Sequence, residues 1–404
     1  MKNKKYLAFF CDFTVEENFN QFLVASEFMI NKFVEEFGKI YIINVQNLKF
    51  FTNKDNNFDH TAKKFFKLHK NVEFFNPKNS LEFDKFMEQK DLVALRYFRN
   101  DFSLIKTLLL FKKYNIKQVA IANAGNVQYT LKSIKGFFWK GFLYKLEKRF
   151  AHKLIVLLSN LKMVPKIEIK FLTNSVIAKY TKKKNIFNKL RLSQVKETML
   201  VNSRSFDIFK NDTPEVNENH IVLLDEMLNT PQWSRFRNLI HRDKINEHYF
   251  KLTKLLRTLS NMFDKEIVIC LHPKDNLDLK KKYFEGFRVV QHKTRENICK
   301  SFIVLFFESS AIIDAFLLRK KMITISSKVM DQNQIDTGLH YHKHAGIMVI
   351  NIDQNLNFEK EDFLKQLDET TKKYNSYINN YITPDGQQLG YKKMTKIIKE
   401  RYFN

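Results

Sequence analysis

Short wholly apolar runs alternate along the chain with longer segments in which apolar positions recur every three or four residues. In the first part, YLAFFCD (Tyr6 to Asp12) predicts a strand, Glu16 to Phe37 an amphipathic helix, and KIYIINV (Lys39 to Val45) a second strand. That is a β-α-β unit. DLVALRYF (Asp91 to Phe98), a helix from about Asp101 to Tyr114, and KQVAIANAG (Lys117 to Gly125) continue it. Strands that follow one another through crossover helices predict a parallel sheet, and strands apolar on both faces predict one covered on both sides. The second part repeats the pattern: HIVLLDE, a helix from about Lys244 to Phe263, EIVICLHP, FRVVQH, SFIVLFFESS, a helix from Ala311 to Leu318, KKMITISS and GIMVINI.

Between the parts, Lys162 to Asp212 carries the charge run KYTKKKN, and IEIKFLTN is its one apolar alternation, which places a boundary near Asn211. Two acidic-to-basic helical stretches, Glu359 to Tyr377 and Tyr391 to Tyr402, flank ITPDGQQLG. The expected organisation is an N-terminal Rossmann-like domain over 1–210, a second over 211–385, and a C-terminal helix over 386–404 that crosses back to the first. If two such α/β domains face each other, the carboxyl ends of both sheets open on one cleft, where ligands bind in sheets of this kind.

A length of 404 residues and 44% hydrophobic content fit two folded domains and exclude a mainly disordered chain. The excess of 69 basic over 43 acidic residues, a formal charge of +26, attracts anionic surfaces, nucleic acid or acidic substrates. Forty Phe beside nine Gly and six Pro match AT-rich codon usage, which raises Lys and Phe without functional demand and weakens arguments from charge. Cys11, Cys270 and Cys299 are few and far apart, which points away from a disulfide framework or zinc site and toward a reducing compartment. The N-terminal apolar run stops at Asp12, and the longest, Ser301 to Leu318, is broken by Glu308 and Asp314. The expectation is a cytoplasmic protein whose membrane contact is peripheral, at the inner face of the cell membrane.

Three polar clusters fall where strands of the second domain should end: Asp225 and Glu226, His272 and Pro273, and Glu308, Ser309 and Ser310. Each alone reads as the start of a loop; together they suggest a site. Ser309 and Ser310 would cap the following helix, whose first N–H groups and dipole offer a seat for phosphate. Pro273 would fix the direction of His272, an imidazole able to hydrogen-bond or protonate a leaving phosphate. Asp225 or Glu226 would serve as general base toward an acceptor hydroxyl.

The order LLDEM, LHPKDN, FFESSAIIDAFLLRKKMITI resembles two-domain glycosyltransferases of bacterial surface polysaccharides, of the sialyltransferase and polysialyltransferase-like type, over roughly Asn202 to Asp353. The resemblance implies a GT-B fold of two facing Rossmann-like domains, a CMP-activated nonulosonate as donor, no metal or other cofactor, and inversion by single displacement. It maps the base onto Asp225, with Glu226 as the alternative. It puts the phosphate-facing acid on His272 and the phosphate-binding hydroxyls on Ser309 and Ser310, with Pro273, Lys274 and Glu308 beside them as further candidates for binding the donor nucleotide. Many relatives end the acidic motif in Gly, where this chain has Met227. Candidates for cytidine recognition are Lys293, Thr294, Ser326 and Ser327. The acceptor would be a cell-surface glycan or a lipid-linked one. The same His-Pro and Ser-Ser pattern is similar to CDP-glycerol and polyol phosphotransferases of teichoic-acid synthesis, and transferases of 3-deoxy-octulosonic acid share the chemistry.

Other segments carry their own readings. Leu131 to Leu158 interleaves Lys and Arg with Phe137, Phe138, Trp139, Phe142 and Tyr144, which suits either a helix at an anionic membrane surface or a buried helix with a basic edge. In GLHYHKHAG, His340, His342 and His344 alternate without acidic or Cys companions, so a loop near the cleft is expected ahead of a metal site. NAGNVQY, Asn123 to Tyr129, could touch the acceptor, and NSRSFDIF, Asn202 to Phe209, reads as a loop leading into the second domain. No zinc-finger spacing, ribonucleoprotein aromatics or basic heptad helix supports specific nucleic-acid binding. A non-enzymatic nucleic-acid-binding protein, or a scaffold of polysaccharide export, remains as the reading from a different class.

Overall fold

The computed structural model describes residues 4–13, 16–48, 70–97, 104–122, 139–173, 175, 193–212, 215–228, 240–273, 275–330, 332–354 and 358–404. The chain divides into two compact units: the described residues through Arg204 join Asp385–Asn404 in the first, and Ser205–Pro384 form the second.

The first unit carries seven strands: β1 (Lys5–Cys11), β2 (Ile40–Asn44), β3 (Val72–Phe75), β4 (Asp91–Arg96), β5 (Lys117–Ala122), β6 (Ile167–Leu172) and β7 (Val195–Leu200). They pair in parallel in the order β3-β2-β1-β4-β5-β6-β7. Its helices are α1 (Glu16–Phe37), α2 (Ser80–Glu88), α3 (Ile105–Lys113) and α4 (Trp139–Asn160). Alternate residues of β1 enter opposite cores. Leu7, Phe9 and Cys11 pack with Met29, Ile30 and Phe33 of α1, while Ala8 and Phe10 pack with Phe83 of α2, Leu108 and Phe111 of α3 and Ile155 of α4. Helices on both faces are the physical reason the strand reads as one apolar run.

A last helix, Gly390–Tyr402, also covers the first sheet. Its Tyr391, Met394 and Ile398 join the α1-side core, Tyr391 meets Phe28 edge-to-face at 5.8 Å, and Lys399 donates to Glu36 at 2.6 Å. Asn202 anchors the approach to that helix by donating to the carbonyls of Gly386 and Gln388, each at 2.7 Å.

The second unit carries β8 (His220–Leu224), β9 (Glu266–Leu271), β10 (Arg288–Gln291), β11 (Ser301–Phe306), β12 (Lys321–Ser326) and β13 (Met348–Asn351). Their order is β10-β9-β8-β11-β12-β13, all parallel. Counting β8 as first, this is the doubly wound order third, second, first, fourth, fifth, sixth, whose direction reverses between β8 and β11. Both units are therefore Rossmann-like parallel α/β sheets of the GT-B type. No helix among the described residues is long and apolar enough to cross a membrane.

Several expectations are corrected. Residues 202–209 do not form a loop: α5 (Arg204–Asn211) occupies most of them, burying Phe206 and Asp207. The interval between the domains also carries more structure than one apolar alternation, because β6 and β7 both lie in it. The histidine-rich stretch lies on a helix, Gln332–Ala345, where His340 and His344 fall one turn apart with ring centroids 4.2 Å from each other and planes tilted by 34°. His342 faces away from them and bonds the carbonyl of Ile347 at 2.9 Å.

Candidate active site

The polar clusters follow β9, β8 and β11, three strands adjacent in the sheet, so His272, Asp225 with Glu226, and Glu308 to Ser310 all stand at the carboxyl ends of neighbouring strands. The β8 and β11 ends flank the point where the strand order reverses, the position at which open α/β sheets bind ligands.

His272 leaves β9 into solvent, and its carbonyl closes a turn by accepting from the N–H of Asp275 at 2.9 Å. Gln291, the last residue of β10, donates its amide to the carbonyls of His272 and Asp275 at 3.0 and 3.1 Å. The exit of β9 is thus held from the neighbouring strand as well as by Pro273, which is exposed in the turn. Lys274 lies outside the described residues.

Asp225 differs from the expectation. Its carboxylate is 0% exposed and is bonded to the ammonium of Lys280, itself 2% exposed, on the short helix α7 (Leu277–Tyr283). The same ammonium meets the carboxylate of Asp275, 3% exposed, at 3.2 Å, the carbonyl of Glu226 at 2.7 Å and the hydroxyl of Tyr249. Lys280 therefore ties the loop after β8 to the turn after β9. Burial works to lower the pKa of Lys280, but the Asp225 and Asp275 carboxylates outweigh it and hold the ammonium above its ordinary value. Burial pushes the Asp225 carboxyl up against the pull of Lys280. A carboxylate enclosed in this way is not placed to take a proton from a substrate hydroxyl. Glu226, the next residue, is partly exposed at the strand end.

Ser309 is partly exposed and accepts from the N–H of Ala311 at 3.3 Å; Ser310 is exposed. They do not cap the next helix as expected. That helix is Ile312–Leu317, six residues long, with Ala311 at its N-cap and no side-chain cap. One and a half turns supply little dipole, so the hydroxyls themselves are the chemistry at this end of β11.

The cytidine candidates do not come together. Lys293 and Thr294 follow the edge strand β10, and Ser326 ends β12, with β9, β8 and β11 between them. Four strand spacings separate the two groups, roughly 19 Å. Ser326 is partly exposed, whereas Ser327 is buried, bonded to Nδ1 of His248 at 3.0 Å. Asn123 to Tyr129 lie outside the described residues, as do 131–138.

Lys280 and His248 stand in no motif, and Asp275, although it falls within LHPKDN, has no role assigned to it by the sequence. His248, on α6 (Arg242–Phe263), packs against Tyr249 and Phe307. Burial, with the Lys280 ammonium close by, pulls its pKa down to about 4. A depressed histidine costs stability as acid is added: the unfolded chain binds the proton near 6.5, the folded chain only near 4. Between those values His248 should remove about 3 kcal/mol of stability, and nothing above them. Urea unfolding from pH 7 to pH 4 should show a shallower loss in His248→Gln than in the wild type; equal slopes would place the acid sensitivity elsewhere.

No protein-family model matches the sequence, and no curated protein does. Among solved structures the chain is similar to UDP-GlcNAc 2-epimerase from Neisseria meningitidis bound to UDP-GlcNAc, with a TM-score of 0.51 and 11% identity, covering 98% of this chain and 100% of that one. It is similar to another UDP-N-acetylglucosamine 2-epimerase at a TM-score of 0.50 and 9% identity, covering 100% and 98%. The wall teichoic acid polymerase TagF aligns at a TM-score of 0.49 and 11% identity, covering 98% and 88%. At such identities the likeness is one of fold.

Proposed function

We propose that this protein is a nucleotide-sugar-dependent glycosyltransferase whose second unit binds the donor phosphate at the carboxyl ends of β9, β8 and β11. One observation carries the reading: Glu226, His272 and the Ser309–Ser310 pair follow three adjacent strands, two of which flank the reversal point of a doubly wound sheet. His272 hydrogen-bonds or protonates the departing nucleotide phosphate, and Ser309 and Ser310 donate to its oxygens. Glu226 takes the proton of the acceptor hydroxyl as that oxygen attacks the anomeric carbon. The new glycosidic bond forms as the bond from that carbon to the phosphate oxygen breaks, which inverts the centre. The imidazolium and hydroxyls meet the phosphate charge, so this mechanism calls for no metal.

The motif order favours a CMP-activated acidic sugar, a nonulosonate or 3-deoxy-octulosonate, as donor. A UDP-activated sugar is the second reading, favoured by the UDP-GlcNAc bound in the epimerase of the same fold. The acceptor is a cell-surface glycan, free or lipid-linked. Exposed Phe150, Leu157, Leu161 and Met163 along and just after α4, beside exposed Lys153 and Lys162, support peripheral contact with an anionic membrane at its inner face.

Thermal-shift and calorimetric titration without added metal against CMP, CDP, UMP and UDP tests the reading, because a ligand that prefers the folded state must stabilise it. CMP should bind best, and His272→Ala and Ser309→Ala should each weaken it about tenfold, the scale of one charge-assisted hydrogen bond. Tighter UDP binding selects the second donor, and tighter CDP binding a polyol phosphotransferase. No nucleotide binding overturns the proposal.

A further inference from the structure

Three ammoniums gather at the amino edge of the second sheet. The helix Gln332–Ala345 runs back from the end of β12 to the start of β13, so its last turn lies at the amino ends of the strands, and with it the histidine stretch expected near the cleft. The helix Lys360–Lys372, which follows β13, ends beside it. The two helix ends border a concavity of about 540 Å³ whose lining includes Lys343, Lys372, Lys373, His342 and His344. The length of the strands, roughly 17–20 Å, separates it from His272 and Ser309 at the carboxyl ends.

Among the described residues no carboxylate lines the concavity and none pairs with Lys343, Lys372 or Lys373, whereas Lys321 on β12 is paired with Asp368 at 3.0 Å. Cations in the last turn of a helix complement its dipole, but two helix ends supply about one negative charge between them. Three ammoniums exceed that and leave the concavity positive. Gly346, at φ +72°, brings the chain close to one of them: a Cβ there would stand 2.7 Å from Cδ of Lys373. The side-chain oxygen of Asn375, which also lines the concavity, accepts from the Arg319 guanidinium, so its amide N–H groups are what it offers a ligand. Nδ1 of His342 must donate to the carbonyl of Ile347, 2.9 Å away, which leaves Nε2 to take up a proton and donate to an anion. The His344 ring stands beside His340 and Tyr381, with centroids 4.2 and 6.2 Å away. Burial and then Lys343 hold its pKa below the ordinary value, a direction that a bound anion reverses.

We infer that this concavity is a binding site for a phosphoryl group, carried by a free phosphorylated ligand or by an anionic lipid headgroup. Its oxygens meet the ammoniums of Lys343 and Lys373 and the amide of Asn375, and protonated Nε2 of His342 donates to them. Point charges on flexible stems suit a phosphate, which presents oxygens in several directions, better than a planar carboxylate, which favours the fork of an arginine. No residue here belongs to the site proposed for the donor nucleotide, so the two stand or fall separately.

The test is an NMR titration of protein isotope-labelled at the histidine ε1 carbon with inorganic pyrophosphate, at constant pH and ionic strength. The rings of His342, His344 and His272 are assigned by their loss in His342→Gln, His344→Gln and His272→Gln. His342 and His344 should move saturably toward the imidazolium position. Lys343→Gln with Lys373→Gln should weaken binding about tenfold, the scale of two exposed ion pairs, and Lys343→Arg with Lys373→Arg should keep it. Sedimentation with phosphatidylcholine vesicles containing phosphatidylglycerol separates the two sources of phosphate. Vesicle binding lost in the double Gln variant assigns a lipid headgroup, and vesicle binding unchanged assigns a free phosphorylated ligand. Pyrophosphate shifts that never saturate, that are equal in the double Gln variant, or that appear at His272 alone overturn the inference.

Discussion

Lys280→Met is expected to lower the stability of the second unit by about 3–5 kcal/mol, the range for removing one partner of a buried ion pair. Met preserves the length and much of the volume of the side chain, so packing changes little. Asp225 and Asp275, both enclosed, lose the ammonium between them, and the hydroxyl of Tyr249 and the carbonyl of Glu226 lose its donated bonds. The loss should appear as a lower urea midpoint with an unchanged slope. Acid should shrink the gap between variant and wild type, because a protonated carboxyl no longer needs a cation beside it. The double variant Asp225→Asn with Lys280→Met should recover part of the loss, since one fewer charge is left orphaned. A cost under about 1 kcal/mol would mean that the carboxylates reach water and that the cluster behaves like a surface pair.

The prominence of Lys280 also shows what local sequence hides. It stands in LDLKKKY, a helical segment that reads as a solvated basic run, and its carboxylate partners stand 55 and 5 residues before it. Only the parallel pairing of β8 with β9 brings the loops after them to one ammonium. Strands with consecutive apolar residues were the legible ones: β8, β9 and β11 read as apolar runs, and the edge strand β10 was legible from Val289 and Val290. β7 was not, because VKETML lies at the edge of the first sheet, where none of its residues is buried. The histidine stretch misled for a related reason. Spacing by two led to the expectation of a loop, but the segment is helical, and spacing by four is the one that brings His340 to His344.

The convergence of three strand ends was legible because it depends on strand order, which crossover chirality and length nearly dictate. The identity of the base was not. Asp225 and Glu226 are adjacent, and at the end of a strand adjacent side chains leave in opposite directions, one toward the sheet's own helices and one toward the crevice. Sequence shows that one of them faces inward but not which. Lys280 marks Asp225 as the inward one.

That assignment separates two substitutions that would otherwise look alike. Glu226→Gln should keep the fold and lower turnover about a hundredfold or more, the usual scale for loss of a general base. His272→Ala should do the same through the departing phosphate, because its exposed ring contributes little to the core. Asp225→Asn should behave differently, lowering the unfolding midpoint because Lys280 loses an ionic partner, with a smaller fall in kcat. Measuring kcat and urea midpoint together on the three variants, with CMP-activated and UDP-activated donors, tells the roles apart. If Asp225→Asn loses turnover at full stability while Glu226→Gln stays active, the carboxylate must leave Lys280 when substrate binds and act as the base itself. If His272→Ala turns over normally with whichever donor is used, the phosphate leaves without its proton, and the strand-end histidine is removed from the mechanism.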